Sequence, residues 1–265
     1  MGLYNSQREE IANLLKEKIR RKLSGYFPES NNMPFHVRLL GQDRMALFSF
    51  IQSLNTMLGI SVFEQIAVII ATPHFKRAIQ QYTLPNNTIS KNAQSKIQEI
   101  INDLRAARAR PDKQVEISKI LQVAQTGEMV VVKPARVDLF LESADGTEYY
   151  FDLKTSKPNI GEIVGFKQKL LEWVAMRYVA GLPPTQIYTG LAIPYNPYAP
   201  QPYDRWTFQG MFDFPNEIKV AEEFWDFLGG NNTYEELLQI FENVGIELRP
   251  EIDARFSALR PGNVP

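Results

Sequence analysis

Two aspartates and a lysine between Asp138 and Lys154 have the types and spacing that chemistry requires. The segment RVDLFLESADGTEYYFDLK reads as two strands joined by an Ala-Asp-Gly turn at residues 144–146. A three-residue hairpin loop favours glycine in its last, left-handed position, where it closes a G1 bulge. The register that follows places Asp138 directly opposite Asp152. Lys154 lies two residues further along and projects from the same face.

This arrangement suits metal-assisted hydrolysis of a phosphodiester. Opposed side chains on antiparallel strands have Cβ atoms roughly 4.5 to 5.5 Å apart, so two carboxylates there repel unless a cation lies between them. Mg²⁺ prefers one or two carboxylates plus water and phosphate oxygens. We expect Asp138 and Asp152 to ligate Mg²⁺, which activates a water, and Lys154 to hold that water or neutralise the phosphate. The alternative is an edge hairpin whose charges are merely solvated.

The same residues resemble a known family. Residues 137–138, the hairpin and residues 151–154 resemble the PD-(D/E)xK nucleases, with Val137 replacing the motif proline and Asp152 the commoner glutamate. More widely, the chain resembles the TdeIII-type restriction endonucleases across most of residues 60–240. That resemblance runs through SVFEQ (61–65), DLKT (152–155), YNPY (195–198), FWDFLGG (224–230) and TYEELL (233–238).

The resemblance implies a type II restriction endonuclease that cuts double-stranded DNA at a short palindrome such as GGNCC. It also implies a homodimer, because a two-fold symmetric site suits a two-fold symmetric protein. A cognate DNA methyltransferase is expected genetically but not as a bound partner. The expected products carry 5′-phosphates. Two alternatives remain open: a structure-selective repair or recombination nuclease, and a catalytically inactive DNA-binding protein of the same fold.

Glu64 has two interpretations. Ser61 is a plausible N-cap, and a glutamate three residues later would complete a capping box. In many nucleases that this chain resembles, a helix before the hairpin contributes an acid to the metal site, so the resemblance implies Glu64 as a third metal ligand. Both interpretations stay open at this point.

Two groups of residues are candidates for DNA contact. The loop PYNPYAPQPYDR (194–205) is a stiff platform, and Asn and Arg are side chains that pair bidentately with base edges. Alternatively, its tyrosines only pack the loop on the core. Polar residues after Lys154 are expected to contact phosphates, which position the protein without specifying sequence. The predicted DNA-binding residues are Lys157, Asn159, Lys167, Gln168, Lys169, Tyr195, Asn196, Tyr198 and Arg205.

Helices and strands must position these residues. Apolar periodicity and cap residues predict helices near 7–23, 43–58, 61–71, 91–109, 162–180, 217–228 and 233–241. β-Branched runs predict strands near 129–132, 137–141, 149–153 and 186–193, whereas 115–123 fits either type. The predicted fold is α/β: a restriction-endonuclease-like mixed central β-sheet flanked by helices, with a helical N-terminal region. We expect one nuclease domain over 1–265, with a helical elaboration (about 1–110) and a catalytic core (about 111–240).

The composition of the chain excludes several kinds of catalytic and metal site. The chain lacks cysteine, which rules out thiol catalysis and cysteine zinc sites, and its two histidines lie far apart. The net charge of -1 gives no global positive field, so local basic patches must attract DNA. No apolar run approaches the roughly 20 residues of a membrane span, and the N-terminus lacks a signal-peptide pattern. We expect a cytoplasmic protein without a membrane anchor.

Overall fold

The computed structural model describes residues 2–25, 33–154, 157–204 and 206–258, which fall into two compact units. One unit contains residues 1–69 and 231–265, and the other contains residues 70–230. Within the described residues, no helix has the length and apolar character needed to cross a membrane. The single nuclease domain over the whole chain stays a prediction.

The first unit is helical. Its helices are α1 (Asn5–Gly25), α2 (Pro34–Leu40), α3 (Gln42–Met57), most of α4 (Phe63–Ala71) and α10 (Thr233–Ala258). Helix α1 packs along α10 and buries Ile11 and Leu15 at helical spacing.

A π-helical turn over Leu58–Val62 continues α3 into α4. Ser61 therefore lies inside a continuous helical segment, where backbone groups already supply partners along the helix. The predicted N-cap at Ser61 is wrong, and with it the capping box that would explain Glu64.

The second unit is built on a mixed sheet. Its elements are β1 (Arg77–Thr83), β2 (Thr88–Ser90), α5 (Lys91–Arg105), α6 (Lys113–Leu121), β3 (Met129–Val131), β4 (Arg136–Glu142), β5 (Glu148–Leu153), α7 (Ile160–Val179), β6 (Ile187–Ile193), α8 (Phe214–Glu217), β7 (Ile218–Val220) and α9 (Glu222–Gly229). In the described part, the main sheet has the order β1-β4-β5-β6-β7, and β2 pairs with β3 separately. Strands β1, β4 and β5 are antiparallel, whereas β5, β6 and β7 are parallel. The predicted α/β class with a mixed sheet is confirmed.

Helices cover both faces of the central strands. Phe140 and Tyr150 belong to the core that α5 and α7 complete on one face. On the other face, Phe151 packs edge-on against Phe224 and Phe227 of α9. Strands buried on both faces read as continuous apolar runs, as LFL in β4 does, and the polar residues among them are the exceptions that need a partner.

Some predicted elements differ from the observed ones. Residues 115–123, predicted as either type, form helix α6, since Asp112 caps it by accepting a hydrogen bond from the Val115 N–H at 3.0 Å. The helix predicted over 217–228 is present as α9 but begins later, at Glu222, because α8 ends at Glu217 and strand β7 follows. The final helix, predicted to end near 241, extends to Ala258.

Candidate active site

The hairpin between β4 and β5 has the predicted register. Leu139 pairs with Phe151 and Glu142 with Glu148, so paired residue numbers sum to 290 as the turn chemistry requires. Gly146 has φ +84° and donates its N–H to the Ser143 carbonyl at 3.0 Å. The turn itself therefore sets which side chains of the two strands share a face.

Asp138, Asp152 and Lys154 come together on one face of this hairpin. The Lys154 Nζ lies 2.8 Å from Asp152 Oδ2 and 3.8 Å from Asp138 Oδ2. Asp138 Oδ2 also accepts a hydrogen bond from the Leu153 N–H at 2.8 Å, which fixes its carboxylate beside the end of β5. Asp152 is only 1% exposed, so a cation beside its carboxylate offsets the cost of burying it.

Burial and mutual repulsion act on the two carboxylates of this pair. Burial, followed by the charge of Asp152, raises the pKa of Asp138 to about 7, although Lys154 opposes the shift. A divalent ion would remove this repulsion, and two carboxylates suffice for Mg²⁺, which keeps waters and phosphate oxygens as its other ligands. Within the described residues, no group of three or more His, Asp or Glu side chains is arranged to hold a metal. At the hairpin, the carboxylates that the structure brings together are those of Asp138 and Asp152.

Glu64 lies in the first turn of α4, in the helical unit, and is 4% exposed. The capping box no longer explains this position, because Ser61 lies inside a continuous helical segment. The role of Glu64 as a third metal ligand stays a prediction.

Lys169, predicted from the sequence only as a phosphate contact, is a residue of this site. Its Nζ donates to Asp152 Oδ1 at 3.1 Å and to Asp152 Oδ2 at 3.2 Å. Helical spacing on α7 gave a signal, because residues 166, 169 and 173 share one face. The Phe166 ring centroid lies 4.8 Å from the Lys154 Nζ, and the Trp173 ring centroid lies 5.8 Å from the Lys169 Nζ.

Lys167 occupies the opposite environment on the same helix. It is 0% exposed, and its Nζ lies 2.6 Å from Glu217 Oε2 and 2.5 Å from Glu116 Oε2. A side chain without exposed surface cannot contact a phosphate, so the predicted DNA contact at Lys167 is corrected to a structural ion pair. Its neighbour Gln168 donates to Glu172 on α7 at 2.7 Å.

The loop after β6 is anchored to the protein body. The Trp225 indole N–H donates to the Pro194 carbonyl at 2.8 Å. Asn196 holds the loop together, since its amide donates to the Gln201 carbonyl at 2.8 Å and accepts from the Tyr198 N–H at 2.9 Å. Tyr195 is 43% exposed, and Arg205 lies outside the described residues.

This loop begins beside the acidic pair. Strands β5 and β6 are parallel, and the Lys154 N–H donates to the Ala192 carbonyl at 2.9 Å, so both strands end at one sheet edge. The Lys157 Nζ lies 5.4 Å from the centroid of the Tyr198 ring, which links the segment after Lys154 to the loop. Lys157 and Asn159 are exposed. Ligands of α/β proteins commonly bind at such carboxyl ends of parallel strands.

A family model described as "Type II restriction endonuclease, HinfI" matches residues 3–245. The chain belongs to this family. It is 32% identical over 225 residues to the type II restriction enzyme HgiCII of Herpetosiphon aurantiacus, covering 83% of this chain and 80% of the relative. HgiEI of the same organism is 30% identical, with coverages of 83% and 79%. HgiBI, also from that organism, is 29% identical, with coverages of 95% and 98%.

Membership confirms the predicted type II restriction endonuclease, an enzyme class that acts on double-stranded DNA and generally uses divalent metal ions. The finer resemblance to TdeIII-type enzymes is not confirmed, since the matching model is that of HinfI. The matches do not support the alternative of a structure-selective repair or recombination nuclease.

Proposed function

We propose that this restriction endonuclease hydrolyses phosphodiester bonds of double-stranded DNA in the cytoplasm at a short palindromic site. It would use Mg²⁺ held by Asp138 and Asp152 and leave 5′-phosphate ends. The observation that carries the proposal is the contact of the Lys154 ammonium with both carboxylates, at 2.8 Å and 3.8 Å, on one face of the hairpin. Glu64 remains the candidate for a further ligand.

Each residue of the trio has a distinct role in this proposal. Bound Mg²⁺ would supply a water of lowered pKa and a positive charge near the phosphate. Asp138 and Asp152 would hold the cation. The Leu153 N–H restrains the Asp138 carboxylate and burial restrains that of Asp152, so both are positioned before the cation binds. Lys154, whose ammonium lies 4.8 Å from the centroid of the Phe166 ring, is placed to hold the attacking water or the phosphate oxygens. These are the preorganised charges that hydrolysis of a dianion-like transition state requires.

DNA would lie across the sheet edge where β5 and β6 end. Exposed Lys157 and Asn159 are proposed to contact phosphates, with Gln168 and Arg205 as further candidates. Tyr195 and Tyr198 would be presented by the anchored loop, whose shape Asn196 maintains. A palindromic target, which we take to be GGNCC-like, calls for two equivalent active sites, so a homodimer is part of the proposal.

Cleavage of plasmid DNA tests the proposal. With Mg²⁺ we expect discrete fragments, and with EDTA no cleavage, because two carboxylates alone cannot activate water. Sequencing of the fragment ends should recover one short palindrome. The fragments should be ligated without prior phosphorylation of their 5′ ends. Cleavage that persists in EDTA would refute the metal site, and a smear without defined ends would favour a structure-selective nuclease. Plasmid that stays intact with every divalent metal would support the alternative of a catalytically inactive DNA-binding protein.

Lys157→Ala is expected to weaken DNA binding evenly across sequences. Loss of one phosphate contact should reduce the steepness of log K against log salt concentration by about 0.9. Fluorescence anisotropy with cognate and unrelated duplexes, in EDTA and over a salt series, measures both quantities. Lys119→Ala, which removes another exposed lysine of the same unit, is the matched control. An unchanged slope for Lys157→Ala would remove this residue from the DNA-binding surface.

A further inference from the structure

Asp152 is contacted by two ammonium groups, only one of which belongs to the sequence motif. Lys154 Nζ lies 2.8 Å from Oδ2, while Lys169 Nζ reaches both oxygens at 3.1 Å and 3.2 Å. Lys169 comes from α7, a separate element packed against the sheet. Its side chain is 38% exposed, whereas that of Asp152 is 2% exposed. Lys169 thus spans the distance between solvent and a buried carboxylate.

When both aspartates are ionised, the charges of this cluster balance without a metal. Ionised Asp138 and Asp152 contribute two negative charges, and Lys154 and Lys169 contribute two positive charges. A divalent cation would therefore leave the centre with a net charge of about +2, which suits a phosphodiester whose negative charge grows during hydrolysis. With Lys154 alone, the excess would be about +1.

We propose that Lys169 is a second cationic residue of the catalytic centre. It competes with the divalent cation for the oxygens of Asp152, and when the cation is bound its ammonium contacts the scissile phosphate. The partly exposed stem permits this move, because a lysine side chain has four rotatable bonds and a mobile charged end. The inference rests on the proposed function, but its first half concerns metal affinity alone.

Mn²⁺ binding measured by electron paramagnetic resonance, together with single-turnover cleavage, tests the proposal. Mn²⁺ suits carboxylate and water ligands as Mg²⁺ does. In Lys169→Met, the loss of one competing ammonium should tighten Mn²⁺ binding about 5-fold. At saturating Mg²⁺, the same variant should cleave about 10²-fold more slowly. Lys169→Arg, which keeps the charge, should restore most of the rate and the Mn²⁺ affinity of the wild type.

The controls distinguish a catalytic role of Lys169 from a purely structural role and from a simple contact with the DNA backbone. Lys96→Met removes the ion pair with Glu99, which lies at 2.5 Å, and should change neither quantity. Unaltered Mn²⁺ affinity and cleavage in Lys169→Met, with an active wild type, would overturn the inference and leave the proposed function standing. A rate loss matched by weaker DNA binding, with unaltered Mn²⁺ affinity, would also overturn it. A wild type that does not cut DNA would refute the proposed function, while the Mn²⁺ measurement still decides the first half.

Discussion

Asp152→Asn is expected to cleave DNA at least about 10³-fold more slowly than the wild type, a loss of about 4 kcal/mol in transition-state stabilisation. Asparagine keeps the shape of the side chain but removes the charge that would hold a divalent cation. It also leaves Lys154 and Lys169 without their shared carboxylate. DNA binding in EDTA should persist or tighten, because one negative charge near the DNA is removed. Single-turnover cleavage and fluorescence anisotropy measure the two effects separately.

Glu128→Gln is the matched control for this substitution. Glu128 lies in the same unit, is 65% exposed and pairs with Lys91. Its replacement therefore removes an equal charge at an exposed position. We expect wild-type cleavage from this variant. Wild-type cleavage from Asp152→Asn would remove Asp152 from the metal site, and with it the mechanism proposed for the trio.

Lys167→Met is expected to lower the free energy of unfolding by about 3–5 kcal/mol. Methionine fills most of the space, so the loss comes from two buried carboxylates, Glu116 and Glu217, deprived of the ammonium between them. Urea unfolding of the purified protein measures it. Lys91→Met removes an ion pair whose side chains are 57% and 65% exposed, and it should cost less than about 1 kcal/mol.

The deficit of Lys167→Met should depend on pH. Burial already raises the pKa of Glu116, while Lys167 opposes that rise, so the methionine variant should raise it further. A group whose pKa is higher in the folded protein favours folding at low pH and loses that contribution as pH rises through the folded pKa. The deficit should therefore widen as pH increases above the ordinary glutamate range. A small deficit that does not vary with pH would show that the buried cluster contributes little to stability.

The catalytic hairpin could be predicted from the sequence because its determinants are local. The Ala-Asp-Gly turn fixes the register by itself, with Gly146 in the left-handed conformation. Strand alternation then places Asp138, Asp152 and Lys154 together without knowledge of any other element. The observed pairing of Leu139 with Phe151 follows from this one turn.

The two lysines of α7 needed tertiary information. Lys167 lies on the apolar stripe with Ile163 and Leu170, both buried, but this spacing does not reveal which residues neutralise its charge. Its acidic partners come from α6 and from the end of α8, more than forty residues away on either side. Lys169 lies two positions later on another face, and its partner Asp152 lies on the sheet. In the sequence both are simply basic residues of one helix. In the folded protein, Lys167 is buried in a structural ion pair, whereas Lys169 contacts the active-site Asp152.

Short elements escaped prediction for a related reason. Strand β7, Ile218–Val220, has three residues and exists because it pairs with β6 at the edge of the sheet. In strand β1, Arg77–Thr83, apolar and polar residues alternate too weakly for the strand to be recognised from the sequence. Its pairing with β4 stabilises the extended conformation. The π-helical turn at Leu58–Val62 likewise replaced a plausible cap by a continuous helix. For the two strands, contacts distant in sequence outweighed local preference.

Anomalous diffraction tests the central claim most directly, using crystals of the protein with Mn²⁺ and a duplex bearing the palindrome recovered from plasmid ends. We expect an anomalous peak within bonding distance of one oxygen of Asp138 and one of Asp152, with the Lys154 ammonium beside the scissile phosphate. A peak at other carboxylates, with Lys154 still paired to an unmetallated Asp152, would contradict the account.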